Sequence, residues 1–261
     1  MEVRHVETAG GRARVRVYQG GQGPDLLYLH GAGGLFPDDP FLARLAADYR
    51  VHAPLLPGYE DSEGAEHLRS MLDVTLHAFD VVEALGLERP LLVGHSMGGM
   101  IAAEMAAIAP MAVDRLALLT PAGLWFDAAP MPDIFAKLPF ELPDLLFHDS
   151  ALGTRMLTAG LDLDDPAFLG AFMIMNARRL GMAGKLLFPI PDRGLKDRLY
   201  RIRARTALIW GAEDRLIPER PYAQGFADGI TGATLTSIPA AGHMVQYERP
   251  EEALAAIRAV A

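Results

Sequence analysis

The chain has 261 residues, 51% of them hydrophobic, enough for one sizeable apolar core with room for an inserted subdomain. A formal net charge of -9 argues against nucleic acid or an anionic membrane as partner, because phosphate binding needs concentrated Lys and Arg. The absence of cysteine excludes disulfides, thiolate nucleophiles and thiolate metal ligands.

The first segment, Met1 to Thr8, alternates polar and apolar residues as a half-buried strand does, and lacks the unbroken apolar run of a secretory signal. No uncharged apolar stretch reaches the ~18 residues needed to cross a bilayer, so a cytoplasmic protein without a membrane span is expected. Ala13 to Tyr18 alternates again, and a glycine-rich turn from Gly20 to Gly23 leads into a third strand, Asp25 to His30. An amphipathic segment from Pro40 to Asp48 precedes a strand over Arg50 to Leu55. A long helical pattern then runs from about Glu66 to Leu85, ended by Gly86. Further strands are predicted at Leu91 to His95, Arg115 to Thr120, Thr206 to Trp210 and Ala233 to Ile238, with helical patterns among them. Such alternation implies an α/β fold with a mostly parallel, doubly wound sheet of about eight strands.

One interval breaks this rhythm. Roughly 85 residues separate Thr120 from Thr206, far more than an ordinary crossover uses. The interval is dense in Pro, Phe, Leu and Met, with helical spacing over Phe168 to Arg179. It reads as a helical cap inserted at 121–205 into a core formed by 1–120 and 206–261. A cap of this size must present some apolar surface to the cleft beneath it, so an apolar pocket is expected.

The chemistry is carried by Gly94-His95-Ser96-Met97-Gly98, which follows an apolar strand and opens a small-residue helix. This pattern sets a serine on a sharp strand-to-helix turn where the hydroxyl stands exposed and glycines relieve crowding between strand and helix. A serine hydroxyl is a weak nucleophile at neutral pH, so a histidine and an orienting carboxylate are expected further along. His243, in a loop after the last strand, and Asp214, immediately after the Thr206 strand, have that placement. His95 adjoins the serine, but a neighbour in a tight turn points away from the hydroxyl, which leaves it packing or lining the site. His30, His52, His67, His77 and His148 read as structural or solvent-facing, with His30 bracing the following loop.

With His30-Gly31-Ala32-Gly33-Gly34, Leu56-Pro57-Gly58-Tyr59, the serine turn, Gly211-Ala212-Glu213-Asp214 and Gly242-His243 in order, the chain resembles the α/β-hydrolase superfamily over nearly its whole length. That resemblance implies Ser96 as nucleophile, Asp214 as acid and His243 as base. It also favours Asp214 over Glu213, because the family's acid lies three residues after the glycine; Glu213 is then a solvated neighbour. Two main-chain N–H groups should face the developing oxyanion: that of Met97, after the nucleophile, and, by the family analogy, that of Ala32, with Gly33 beside it. The same glycine loop is followed by Leu35-Phe36-Pro37, not by the Lys-Ser or Lys-Thr of a nucleotide-binding loop. No metal-binding histidine motif is present in the sequence, and no cofactor is expected.

The favoured activity is hydrolysis of a small apolar carboxylic ester, or related carbonyl compound, through an acyl-enzyme. An alternative comes from the serine turn, the large cap and Gly242-His243-Met244-Val245-Gln246-Tyr247-Glu248, which are similar to carbon-carbon bond hydrolases acting on vinylogous diketo acids from aromatic ring cleavage. In those enzymes asparagine usually precedes the serine and tryptophan follows the histidine, where this chain has His95 and Met244. Arg178 or Arg179 would bind a substrate carboxylate in that reading; solvation or a cap ion pair is the plainer role. Gly33, His95 and Met244 complete the candidate substrate-binding set. Relatives with dehalogenase or epoxide hydrolase activity place aspartate where Ser96 stands. A reading of a different class is a ligand sensor on a hydrolase scaffold; no oligomeric state is assigned.

Overall fold

The computed structural model describes residues 1–8, 10–160 and 165–261. Eight strands form one sheet in the order β1-β2-β4-β3-β5-β6-β7-β8. These are β1 (Glu2–Thr8), β2 (Ala13–Gly20), β3 (Asp25–Leu29), β4 (Arg50–Pro54), β5 (Leu91–His95), β6 (Arg115–Leu119), β7 (Arg205–Gly211) and β8 (Thr234–Ile238). Only β1 and β2 pair antiparallel with their neighbours; β4, β3, β5, β6, β7 and β8 run parallel.

The sequence explains this order. β5 and nearly all of β3, β6 and β7 are buried apolar runs, as strands covered on both faces must be. β1 and β8 are mostly exposed and take the edges. Chain order reverses between β3 and β5: β4 lies on one side of β3 and β5 on the other. The crevice above such a reversal is where open parallel sheets place their ligand sites, and the loops carrying Gly31 and Ser96 leave the sheet there.

The helices are α1 (Pro40–Leu45), α2 (Met71–Ala84), α3 (Met97–Ile108), α4 (Leu142–Leu146), α5 (Ser150–Leu157), α6 (Pro166–Leu187), α7 (Glu219–Gly229), α8 (Val245–Glu248) and α9 (Pro250–Arg258). The helical pattern predicted from Glu66 is divided: a 3-10 turn at Ala65–His67 precedes α2, which is capped by Ser70. There the Ser70 hydroxyl accepts the Asp73 N–H at 3.2 Å, and the Asp73 carboxylate accepts the Arg69 N–H at 3.1 Å. In the interval after β6, α6 extends eight residues beyond Arg179. Residues 161–164 of the expected cap lie outside the described residues. Among its described residues the interval builds no separate core: Leu142, Phe147, Met182, Ala183 and Leu186 join the same apolar cluster as β3 and β5 to β7. None of these helices is long and apolar enough to cross a membrane.

Candidate active site

Ser96 joins β5 to α3 with a positive φ of 54°, a conformation that costs an L residue about 1–3 kcal/mol. Hydrogen bonds hold it there: the Ser96 N–H donates to the Leu119 carbonyl at 2.9 Å, and the Ser96 carbonyl accepts from Met100 and Ala122, each at 3.0 Å. The glycines around it answer to close approach. A Cβ on Gly98 would lie 2.0 Å from the Leu29 carbonyl oxygen, and one on Gly94 would lie 2.4 Å from that of Gly98.

His243 reaches the serine from the loop after β8. Its Nε2 is 2.9 Å from the Ser96 Oγ, and its Nδ1 is 2.8 Å from Asp214 Oδ2. With Nδ1–H donating to the carboxylate, the Nε2 lone pair is left to accept the hydroxyl proton. Asp214 is held from behind, since its Oδ1 accepts the N–H groups of Leu216 and Ile217, both at 2.8 Å. The buried Trp210 of β7 fastens the same loop by donating its indole N–H to the Ile217 carbonyl at 2.8 Å.

His95 is buried, and among the described residues the hydroxyl of Ser96 bonds to His243 and not to His95. Its Nε2–H donates to the His243 carbonyl at 3.0 Å, and the Thr120 hydroxyl donates to the same oxygen at 3.2 Å. Burial, reinforced by the adjacent His243, pushes the His95 pKa down to about 3, so the ring is neutral at physiological pH. The His243 loop is tied at other points as well. Glu248 accepts the N–H groups of Gly242 at 2.7 Å and Asp149 at 2.8 Å, and the Met244 N–H donates to the Leu146 carbonyl at 3.0 Å. Glu213, expected to be merely solvated, is exposed but accepts the Ala241 N–H at 3.1 Å.

The loop after β3 is held through its carbonyls. Leu56 N–H donates to His30 Nε2 at 3.1 Å, which leaves the proton on Nδ1 to bond the Gly31 carbonyl at 2.7 Å. Burial lowers the His30 pKa to about 4, keeping this bridge neutral. Tyr59 donates to the Ala32 carbonyl at 2.9 Å, and Arg179 Nη1 to the Gly33 carbonyl at 2.9 Å. Three successive carbonyls are thereby engaged, and the Ala32 N–H has no protein acceptor among the described residues. Met97 is fully buried, with its N–H at the first turn of α3.

A cavity of about 430 Å³ opens over Ser96. Ala32, Gly33, His95, Ser96, Arg179, His243 and Met244 line it, with Phe135, Phe168, Phe172 and Met175 from the inserted interval among its apolar walls. Asp214 stands behind His243, outside the lining, and Arg178 is exposed away from it. Arg179 is ion-paired with Glu60. Among the described residues no group of His, Cys, Asp or Glu is placed to hold a metal ion. Missed in the sequence were Glu60, Thr120 and Glu248, whose roles are contacts across the fold; only the nearness of Glu248 to His243 offered any signal.

The family model of the alpha/beta hydrolase family matches residues 26–257. A 2-hydroxy-6-oxo-6-phenylhexa-2,4-dienoate hydrolase of Burkholderia cepacia is 28% identical over 91% of this chain and 87% of its own length. Among solved structures, a bacterial membrane phospholipase A superposes with a TM-score of 0.77 at 25% identity, covering 98% of this chain and 86% of the other. A meta-cleavage product hydrolase from Pseudomonas fluorescens gives a TM-score of 0.71 at 22% identity, over 97% and 96% of the two chains, a likeness of fold.

Proposed function

The chain belongs to the alpha/beta hydrolase family, and on that premise we propose that it is a serine hydrolase cleaving a small carboxylic ester, or related carbonyl compound, with an apolar group. The observation that carries this reading is the continuous hydrogen-bonded line from Ser96 Oγ through His243 to Asp214, opening on an apolar cavity. Ser96 Oγ attacks the substrate carbonyl as His243 Nε2 takes its proton. The negative charge moves to the carbonyl oxygen, where the N–H groups of Ala32 and Met97 receive it. His243 then protonates the leaving alcohol, and the C–O bond breaks to leave an acyl group on Ser96. Water deprotonated by His243 attacks that acyl group and frees the acid, with Asp214 holding the imidazole tautomer throughout. The interval 121–205 acts as the cap that supplies the apolar wall. No cofactor is part of this mechanism.

Steady-state hydrolysis of p-nitrophenyl butyrate by the protein and its Ser96→Ala variant tests the proposal. Loss of at least about 10³-fold in kcat is expected, and unchanged turnover would end it.

A second reading is favoured by the name of the Burkholderia cepacia relative: hydrolysis of a carbon-carbon bond in a ring-cleavage product, with the same nucleophile and base. Incubation with 2-hydroxy-6-oxo-6-phenylhexa-2,4-dienoate, followed by loss of its dienol absorbance, separates the two. Faster turnover of the dienoate than of p-nitrophenyl esters would favour carbon-carbon cleavage.

A further inference from the structure

Charge around the cavity bears on which substrates it takes. Among the described lining residues, Arg179 is the only Arg or Lys and Asp133 the only Asp or Glu. The arginine is engaged at two of its three nitrogens: Nη2 is ion-paired with Glu60 and Nη1 donates to the Gly33 carbonyl at 2.9 Å, while Nε has no partner among the described residues. The Arg179 side chain is 16% exposed and that of Glu60 34%, so solvent partly screens the pair. Asp133 is also held in place, its carboxylate accepting the Phe135 N–H at 2.9 Å. Among the described lining residues the cavity thus offers an incoming carboxylate no positive charge that is not already paired, and an exposed carboxylate, Asp133, stands on its wall.

Glu60 is built into this position. It follows the Leu56-Pro57-Gly58-Tyr59 loop with a positive φ of 49°, a conformation glycine or asparagine adopts more readily. Tyr59, the residue before it, is fixed to the Ala32 carbonyl, so the loop that carries the glutamate is anchored to the loop that carries the Ala32 N–H.

We propose that Glu60 determines specificity: by neutralising Arg179 it makes the cavity select uncharged acyl or alcohol groups over groups that carry a carboxylate. This rests on the reading of the cavity over Ser96 as the substrate site. A carboxylate approaching Arg179 would have to displace Glu60 from it or lie beside the Glu60 carboxylate, and either course opposes binding.

The test compares p-nitrophenyl pentanoate with mono-p-nitrophenyl glutarate, which differ by a terminal methyl against a terminal carboxylate. Binding is measured in the Ser96→Ala protein, where no turnover interferes, through quenching of the cavity-lining Trp125 by the nitrophenyl group. The pentanoate ester should bind at least about tenfold more tightly. Adding Glu60→Gln should reduce that ratio about tenfold, and Asp133→Asn, which keeps the capping acceptor, should move it the same way. Equal or tighter binding of the glutarate ester, or a ratio unmoved by both substitutions, would overturn the assignment. If the unmodified protein turns over neither ester while the binding ratio behaves as stated, hydrolysis by Ser96 fails and the charge selection stands.

Discussion

His95 Nε2 donates to the main-chain carbonyl of His243 at 3.0 Å, so the residue before the serine holds the loop that carries His243. Both histidines are buried, and the contact spans from the end of β5 to the segment after β8. A neighbour of Ser96 that cannot accept its proton therefore still fixes where His243 lies.

Replacing His95 with Ala leaves the His243 carbonyl with Thr120 alone. In our account kcat for p-nitrophenyl butyrate falls about tenfold with KM within about twofold, because the base is displaced while the apolar walls are kept. A KM change with constant kcat would assign His95 to substrate contact instead.

Glu248 makes the complementary tie from the other side, receiving N–H groups from Gly242 and Asp149. Glu248→Ala leaves the buried Gly242 N–H and the part-buried Asp149 N–H without their carboxylate and should cost about 1–3 kcal/mol, read as a lower denaturant midpoint. Glu248→Gln retains an acceptor oxygen and should recover part of that loss.

Two glycines of the site separate steric need from mere smallness. Gly98→Ala would set a Cβ 2.0 Å from the Leu29 carbonyl oxygen, whereas the same substitution at Gly33 meets nothing within 4 Å. The first should abolish soluble expression or cost more than about 3 kcal/mol; the second should leave the melting temperature within a few degrees.

Acid should destabilise the fold through its neutral buried histidines. Burial lowers His30 and His77 to about 4 and His95 to about 3, from an ordinary value of 6.5. Because the folded values are depressed, the unfolded chain binds more protons. The contribution is therefore complete above pH 6.5 and is lost as the pH falls from there towards the folded values. Each histidine then removes about 2 kcal/mol by pH 5, and His77→Leu should recover about that amount of the loss measured by urea unfolding at pH 7.5 and pH 5.

The strands and the serine turn were legible because each is dictated by local sequence. Burial on both faces makes β5 apolar up to His95, and a sharp turn between strand and helix demands Gly94 and Gly98. Asp214 and His243 could be found because each follows a recognisable strand. What escaped was held by contacts between distant segments. Nothing near Glu60 announces Arg179, 119 positions away, and nothing near Thr120 announces the His243 carbonyl. Glu213 is exposed, as a solvated neighbour should be, and only its contact with the Ala241 N–H escaped, because that partner belongs to the other loop. The start of α2 was misplaced because helical spacing continues through Ala65–His67, while the cap that sets the boundary depends on a side chain reaching back at Ser70.

The central claim, that Ser96 is the nucleophile, is tested most directly by intact-mass and peptide mass spectrometry after treatment with an alkyl fluorophosphonate. A single phosphonyl adduct on the peptide carrying Ser96 is expected, absent from Ser96→Ala and strongly slowed in His243→Ala. An adduct on another residue, or equal labelling of the Ser96→Ala protein, would contradict it.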